Sequence, residues 1–174
     1  MTKDIKQFIE QVMIESCHAI RVRMGDVKST SRRREVVRAR YIGWMIIYDL
    51  TADLKDEEGH RLVTLRSIGE AYGGFDHSTV LYGKNTAFRK VWGDDINPPL
   101  IMWAKAYEEI MTEISQPVAE ILGKDEQNTF FPYTPTGYAN ARQFLWDIGE
   151  FRFRNTSMEQ LIIFANQRIN KYRL

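Results

Sequence analysis

Between Tyr41 and Tyr48 almost every side chain is apolar: Tyr41, Ile42, Trp44, Met45, Ile46, Ile47 and Tyr48. A helix that is hydrophobic on nearly all sides has no face for water, so it must sit inside other elements. This stretch predicts a central helix from about Arg32 to Leu50, with Ser31 as its N-cap. Arg34 and Arg38 lie one turn apart at its amino end, with Arg40 nearby. A greasy rod with a cationic tip holds those guanidiniums in a fixed place.

The remaining pattern supplies partners for that rod. Ile5, Phe8, Ile9, Val12 and Met13 recur at helical spacing, which predicts an amphipathic helix from Thr2 to about His18. Ile20 to Ser31 reads as a basic connector, and Thr51 to Arg61 as a polar, acidic loop. Thr64 is placed to cap a short helix, Leu65 to Tyr72. Gly73-Gly74 ends it, and Asp76 is placed to cap a second helix from His77 to about Val91. A short helix, a tight glycine turn and a second capped helix make a helix-turn-helix. Asn97-Pro98-Pro99 is a break, after which Trp103, Ala106, Tyr107, Ile110 and Ile114 define another amphipathic helix. Ser115 to Pro135 is mixed. Two further helices are expected, one through Tyr138, Ala141, Phe144, Leu145 and Ile148, the other through Met158, Leu161, Ile162, Ala165, Ile169 and Tyr172. No strand pattern emerges, so the expected class is an all-α helical bundle.

Composition narrows the function classes. The 174 residues include 44% hydrophobic and 12% aromatic residues, enough for a real core, which excludes global disorder. The single cysteine, Cys17, excludes an intrachain disulfide framework and a multi-thiolate zinc site. No apolar run approaches the roughly 18 residues of a membrane span. Met1 to Phe8 lacks a signal-peptide core, so a soluble, cytoplasmic protein is the default expectation. The formal net charge is only +1, but it is segregated. From Arg21 to Arg40 eight basic residues face two acidic ones, Asp26 and Glu35, whereas Asp53 to Glu58 is mostly acidic. A phosphate backbone complements such a local positive field, although a basic cluster also serves simply as a solvated helix end.

Gly73-Gly74-Phe75-Asp76-His77-Ser78-Thr79-Val80 resembles a known signature. It is similar to the Gly-Gly-Arg-Asp-His-Thr/Ser-Thr-Val segment of the C-terminal DNA-binding domain of the bacterial replication initiator DnaA family. Upstream, Ser31 to Arg40 resembles that family's basic loop and the start of its long central helix. The resemblance covers roughly Ile5 to Ile114 and fades beyond. It implies a DnaA domain IV or Trp-repressor-like helix-turn-helix over residues 1–115, with a helical extension over residues 116–174. It also implies double-stranded DNA as partner. Asp76, His77, Ser78 and Thr79 are the implied major-groove contacts. Arg34, with Arg32 and Arg33 beside it, is the implied minor-groove arginine. Arg38 and Arg40 match family arginines at the central helix start, and Lys84 further along the recognition helix joins the expected DNA contacts.

General physics points the same way. A helix N-terminus offers N–H groups and a positive dipole end to phosphate. An arginine is favoured in a narrow, A·T-rich minor groove. Six phosphate contacts give a log–log salt slope of roughly −5.

The chain also departs from the family pattern. Phe75 stands where arginine is usual, Ser78 lacks the threonine methyl, and the loop Thr51 to Val63 is longer. Gly83 inside the recognition helix costs about 1 kcal/mol relative to alanine, unless it permits a close backbone approach. No G-x-x-x-x-G-K-[ST] occurs; Gly83-Lys84-Asn85 and Gly123-Lys124-Asp125 fail the motif, so ATP-driven unwinding is not expected of this polypeptide. His18, His60 and Cys17 form no ligand or nucleophile set, and the expectation is no enzyme, no metal and no cofactor. The Trp44 and Trp103 stripes read as core.

The expected role is sequence-selective duplex binding in replication initiation, its regulation, or transcription control. The chain's source is expected to be bacterial, phage or a mobile element. The alternative is a protein–protein adaptor, motivated by Phe75 and by an aromatic-rich tail that could form a homodimer or bind a replication protein. Phe75 at the centre of an apolar patch favours the adaptor. A positive stripe from Arg34 to His77 favours DNA.

Overall fold

Hydrophobic residues around a whole helix circumference demand neighbours on every side, and α3 (Arg34–Leu50) has them. It packs against α5 (His77–Trp92), α1 (Lys3–Ile20), α2 (Met24–Val27), α4 (Leu65–Ala71) and α6 (Ile101–Leu122). Val36, Ala39, Ile42, Trp44, Met45, Ile46, Ile47 and Leu50 are all buried. This computed structural model describes residues 2–52, 54–93 and 97–122, together with Ala141, Leu161, Ile162 and Ala165. Six helices lie between Lys3 and Leu122, and the described residues hold one isolated antiparallel bridge, Lys55 to Arg61, so the fold is all-α. None of these helices is long and apolar enough to cross a membrane.

Local chemistry sets the helix ends. Thr2 caps α1 by accepting from the Ile5 amide. Thr64 and Ser67 form a reciprocal capping box on α4. Each side chain satisfies a backbone donor that the helix leaves over, typically worth about 1 kcal/mol. The start of α3 differs from the expected one. It begins at Arg34, its N-cap is Arg33 with no side-chain cap bond, and the Ser31 hydroxyl instead accepts from the Arg33 amide at 3.5 Å. The connector after α1 also contains a single helical turn, α2, which its charge pattern hides. The helix α6 runs on to Leu122, through a stretch that Pro117 makes look irregular in sequence.

The chain divides into two units, residues 1–124 and 125–174. In the second, Ala141, Leu161, Ile162 and Ala165 are helical and buried. The other expectations for that stretch, including the aromatic partner surface, lie outside the described residues.

Candidate nucleic-acid interface

Arg40 lies four residues from buried Val36 and three from buried Gly43, on the inward stripe of α3. A guanidinium brought inside must find acceptors. Its Nε donates to the Val27 carbonyl at 2.7 Å, Nη1 to Ser31 at 2.8 Å, and Nη2 to Asp26 at 3.0 Å and Ser29 at 2.6 Å. Four carbonyls of one loop therefore converge on one side chain that is 4% exposed. Burial lowers the Arg40 pKa from its ordinary value, while Tyr41 and Asp26 oppose that shift. Arg40 was expected to touch DNA; the structure instead makes it the internal brace of the basic loop, because its donors are already committed.

The brace shapes what the loop presents. Ser29 Oγ donates to the Asp26 carbonyl at 2.7 Å and accepts from the Ser31 amide at 3.1 Å. Lys28, Ser29, Thr30, Arg32, Arg33 and Arg34 are exposed. Arg33 pairs with Asp26 at 3.7 Å, both well solvated, so this ion pair adds little stability. Arg38 is half-buried, and its Nε is buried without a hydrogen-bond partner.

The second half of the site is the tip of α5. Asp76 Oδ1 accepts from the Ser78 amide at 2.8 Å and from the Ser78 hydroxyl at 2.6 Å, and its Oδ2 lies 3.3 Å from His77 Nδ1. The Ser78 hydroxyl and amide hold the Asp76 carboxyl below its usual pKa, with the His77 charge contributing less. Asp76 is therefore an ionised cap that orients its two neighbours. His77, Ser78 and Thr79 are exposed beside it.

Two contacts join the halves. The Phe75 ring, one residue before the cap, packs edge-on against Trp44 at 5.3 Å and lies under the Arg40 guanidinium at 4.9 Å. Gly73 adopts φ +106 and lies so close to the Lys28 carbonyl that a Cβ there would overlap its oxygen. A residue with that φ and no room for a side chain has to be glycine. The loop that carries Arg32 and leads into Arg34, and the turn that leads into His77, are thus braced on the same groups. Phe75 is half-buried in this joint and does not form the centre of an exposed apolar patch.

Lys84 is brought to a different place. Its Nζ lies 4.7 Å from the Tyr48 ring, which Arg61 also covers at 3.8 Å, near the opposite end of α3. Arg61 Nη2 donates to the Tyr48 carbonyl at 2.6 Å. Both cations lower the pKa of buried Asp49, but desolvation dominates and raises it to about 6. Lys84, expected among the DNA contacts, is thus half-buried and lies over the Tyr48 ring, where its charge is felt by buried Asp49. Gly83 beside it resolves the puzzle of a glycine within a helix. A Cβ there would lie 2.6 Å from Tyr41 Cδ1 and 2.7 Å from Trp44 Cε3, so its absence lets α5 lie directly on α3.

Sequence reasoning missed Phe75 as the anchor and Lys28 as a loop cation beside the turn. It also missed Arg40 as a brace, although the inward stripe Val36–Arg40–Gly43 was legible. Among the described residues no group of three or more His, Cys, Asp or Glu side chains is arranged to hold a metal ion.

Comparison with known proteins agrees with this architecture. A family model described as the bacterial dnaA protein helix-turn-helix matches residues 9–86. The chromosomal replication initiator protein DnaA of Rippkaea orientalis is 34% identical over 73 residues, covering 42% of this chain and 14% of that protein. The DnaA of Thermodesulfovibrio yellowstonii is 34% identical over 74 residues, covering 42% and 15%. The DnaA of Crocosphaera subtropica is 37% identical over 76 residues, covering 44% and 14%. The matched region thus spans about one seventh of these relatives. No solved structure matches the chain. Residues 9–86 of this chain are therefore similar to the helix-turn-helix domain of the bacterial DnaA protein.

Proposed function

We propose that this chain binds double-stranded DNA sequence-selectively, with no catalysis of its own, in replication initiation, its regulation or transcription control. Residues 1–115 carry the binding. The first turn of α5, through His77, Ser78 and Thr79, enters the major groove, with Asp76 holding them in place. Arg34, flanked by Arg32 and Arg33, reaches the neighbouring minor groove. Lys28 and Arg38 complete the positive rim against phosphates.

The observation that carries this reading is the joint built by Arg40, Phe75 and Gly73, which braces the exposed arginine loop and the exposed helix tip together. Phosphates contribute affinity and salt dependence, and base edges contribute selectivity. His77 and Thr79 are polar and short enough for base edges, and an arginine is favoured where the minor groove narrows. Phe75 itself is half-buried against Trp44 and Arg40, so it does not supply an apolar docking patch for the adaptor alternative.

The test is a gel-shift titration of the full chain against duplexes selected from a random-sequence pool. The expected result is a preferred element with an A·T-rich flank, bound with a log–log salt slope of about −5 if about six phosphates are neutralised. Arg34→Ala together with His77→Ala abolishes the preference. Binding to every duplex that is unchanged in that double variant overturns the reading.

A further inference from the structure

The recognition helix presents more than its first turn. Along α5 the buried residues Val80, Gly83, Ala87 and Val91 form the stripe that faces the protein. At 100° per residue the row directly opposite is Ser78, Tyr82, Asn85 and Arg89, and all four are exposed. Tyr82 is 63% exposed, an unusual position for a large aromatic side chain. It is nevertheless braced, with its ring edge-on to Tyr41 at 6.3 Å, and Tyr41 in turn lies 5.4 Å from Trp44. A solvated ring held on a rigid core is a pre-organised contact and loses little conformational freedom on binding.

We propose that Tyr82 and Asn85 form a second tier of duplex contacts, in which Asn85 reads an adenine and Tyr82 packs against the groove wall between Asn85 and the first turn. The inference rests on the DNA-binding reading above and extends it along the same helix. From Ser78 to Asn85 the helix rises about 10 Å. That is about three base-pair steps at 3.4 Å per step, so the second tier meets bases the first turn does not reach. An asparagine amide matches adenine N6 and N7 as a donor–acceptor pair. Charge favours DNA over a protein partner as the occupant. Residues His77 to Trp92 contain no aspartate or glutamate, and Arg89 and Lys90 add positive charge towards the end of the helix. Arg89 closes the exposed row and is placed for a phosphate.

The test uses the full chain and its pool-selected element, with fluorescence anisotropy on the element and its single-base variants. All substitutions lie on the exposed face, and far-UV circular dichroism of each variant checks the fold. Asn85→Ala lowers affinity about tenfold and erases the preference at one adenine position. Asn85→Asp, which places a carboxylate against the groove, lowers it further. Tyr82→Ala weakens binding several-fold without changing that base preference. If these variants keep wild-type affinity and preference at every position while Arg34→Ala with His77→Ala abolishes binding, the second tier is overturned and the first-turn reading survives. If the wild-type chain selects nothing from the pool, both fall together. If Tyr82→Ala spares DNA binding but converts a dimer to a monomer in sedimentation, the face belongs to a protein contact and the proposal is overturned.

Discussion

The Arg40 guanidinium carbon stands 4.9 Å from the centroid of the Phe75 ring. That single relationship links two segments 35 positions apart in the chain. On one side of the guanidinium are the carbonyls of Asp26, Val27, Ser29 and Ser31; on the other is the residue that leads into the recognition-helix cap. A planar cation with five donors suits this role because it can hydrogen-bond in its plane and stack on its face at once. Lysine has neither property.

Arg40→Lys therefore destabilises the domain despite keeping the charge. Four buried or half-buried carbonyls lose well-aligned donors, and the expected cost is on the order of 2–3 kcal/mol. Urea denaturation reads the loss. Amide hydrogen exchange across residues 26–33 accelerates more than exchange in α1, because the loop loosens before the core does.

Gly83→Ala sets helix propensity against packing. Alanine gains about 1 kcal/mol in a helix interior. Its methyl, however, meets the Tyr41 and Trp44 rings at 2.6–2.7 Å, and separating α5 from α3 costs about 1–3 kcal/mol. The net effect is destabilisation, seen as a lower melting temperature. A variant more stable than wild type would show that the rings yield freely.

Phe75→Arg introduces the residue usual in the DnaA signature and tests whether this chain has built a different joint. The new cation faces the Arg40 guanidinium and removes the edge contact with Trp44. Stability falls by about 2–4 kcal/mol, from lost aromatic burial plus like-charge repulsion. Thermal unfolding at low and high salt separates the two parts, since only repulsion is relieved by salt.

Asp49 gives the fold a pH signature. Its pKa is raised to about 6 by burial, against an ordinary 3.8 in the unfolded chain. Between those values the folded state holds the proton that the unfolded state has released. This group's contribution is therefore fully favourable below about pH 4 and is lost as pH rises to about 6, by on the order of 3 kcal/mol. Asn at this position has no proton to lose. The stability of wild type relative to Asp49→Asn falls across pH 4 to 6 and is flat above, as measured by urea midpoints at each pH.

Much of this architecture was written locally. Thr64 and Asp76 each cap the helix that their spacing announces, because capping depends on a side chain and amides two or three residues away. The apolar run Tyr41–Tyr48 forced a central helix for the same kind of reason, since periodicity is a property of neighbours. Gly83 was harder: it looked costly in isolation, and only the Tyr41 and Trp44 rings across the helix interface explain it.

Charge was the least legible feature, because a cation's role depends on what the fold brings within reach. In the sequence, Arg34, Arg38, Arg40 and Lys84 all read as candidates for DNA contact. Tertiary structure divided them: Arg34 to solvent, Arg38 to a half-buried shoulder, Arg40 to a ring of carbonyls, Lys84 to Tyr48 and Asp49. The sequence by itself determined the all-α class, the helix-turn-helix and its caps, through interactions that span a few residues. Only the three-dimensional packing decided which arginine braces the site and which face of α5 is left for a partner, since burial and hydrogen bonding across 9 to 14 positions have no local signature.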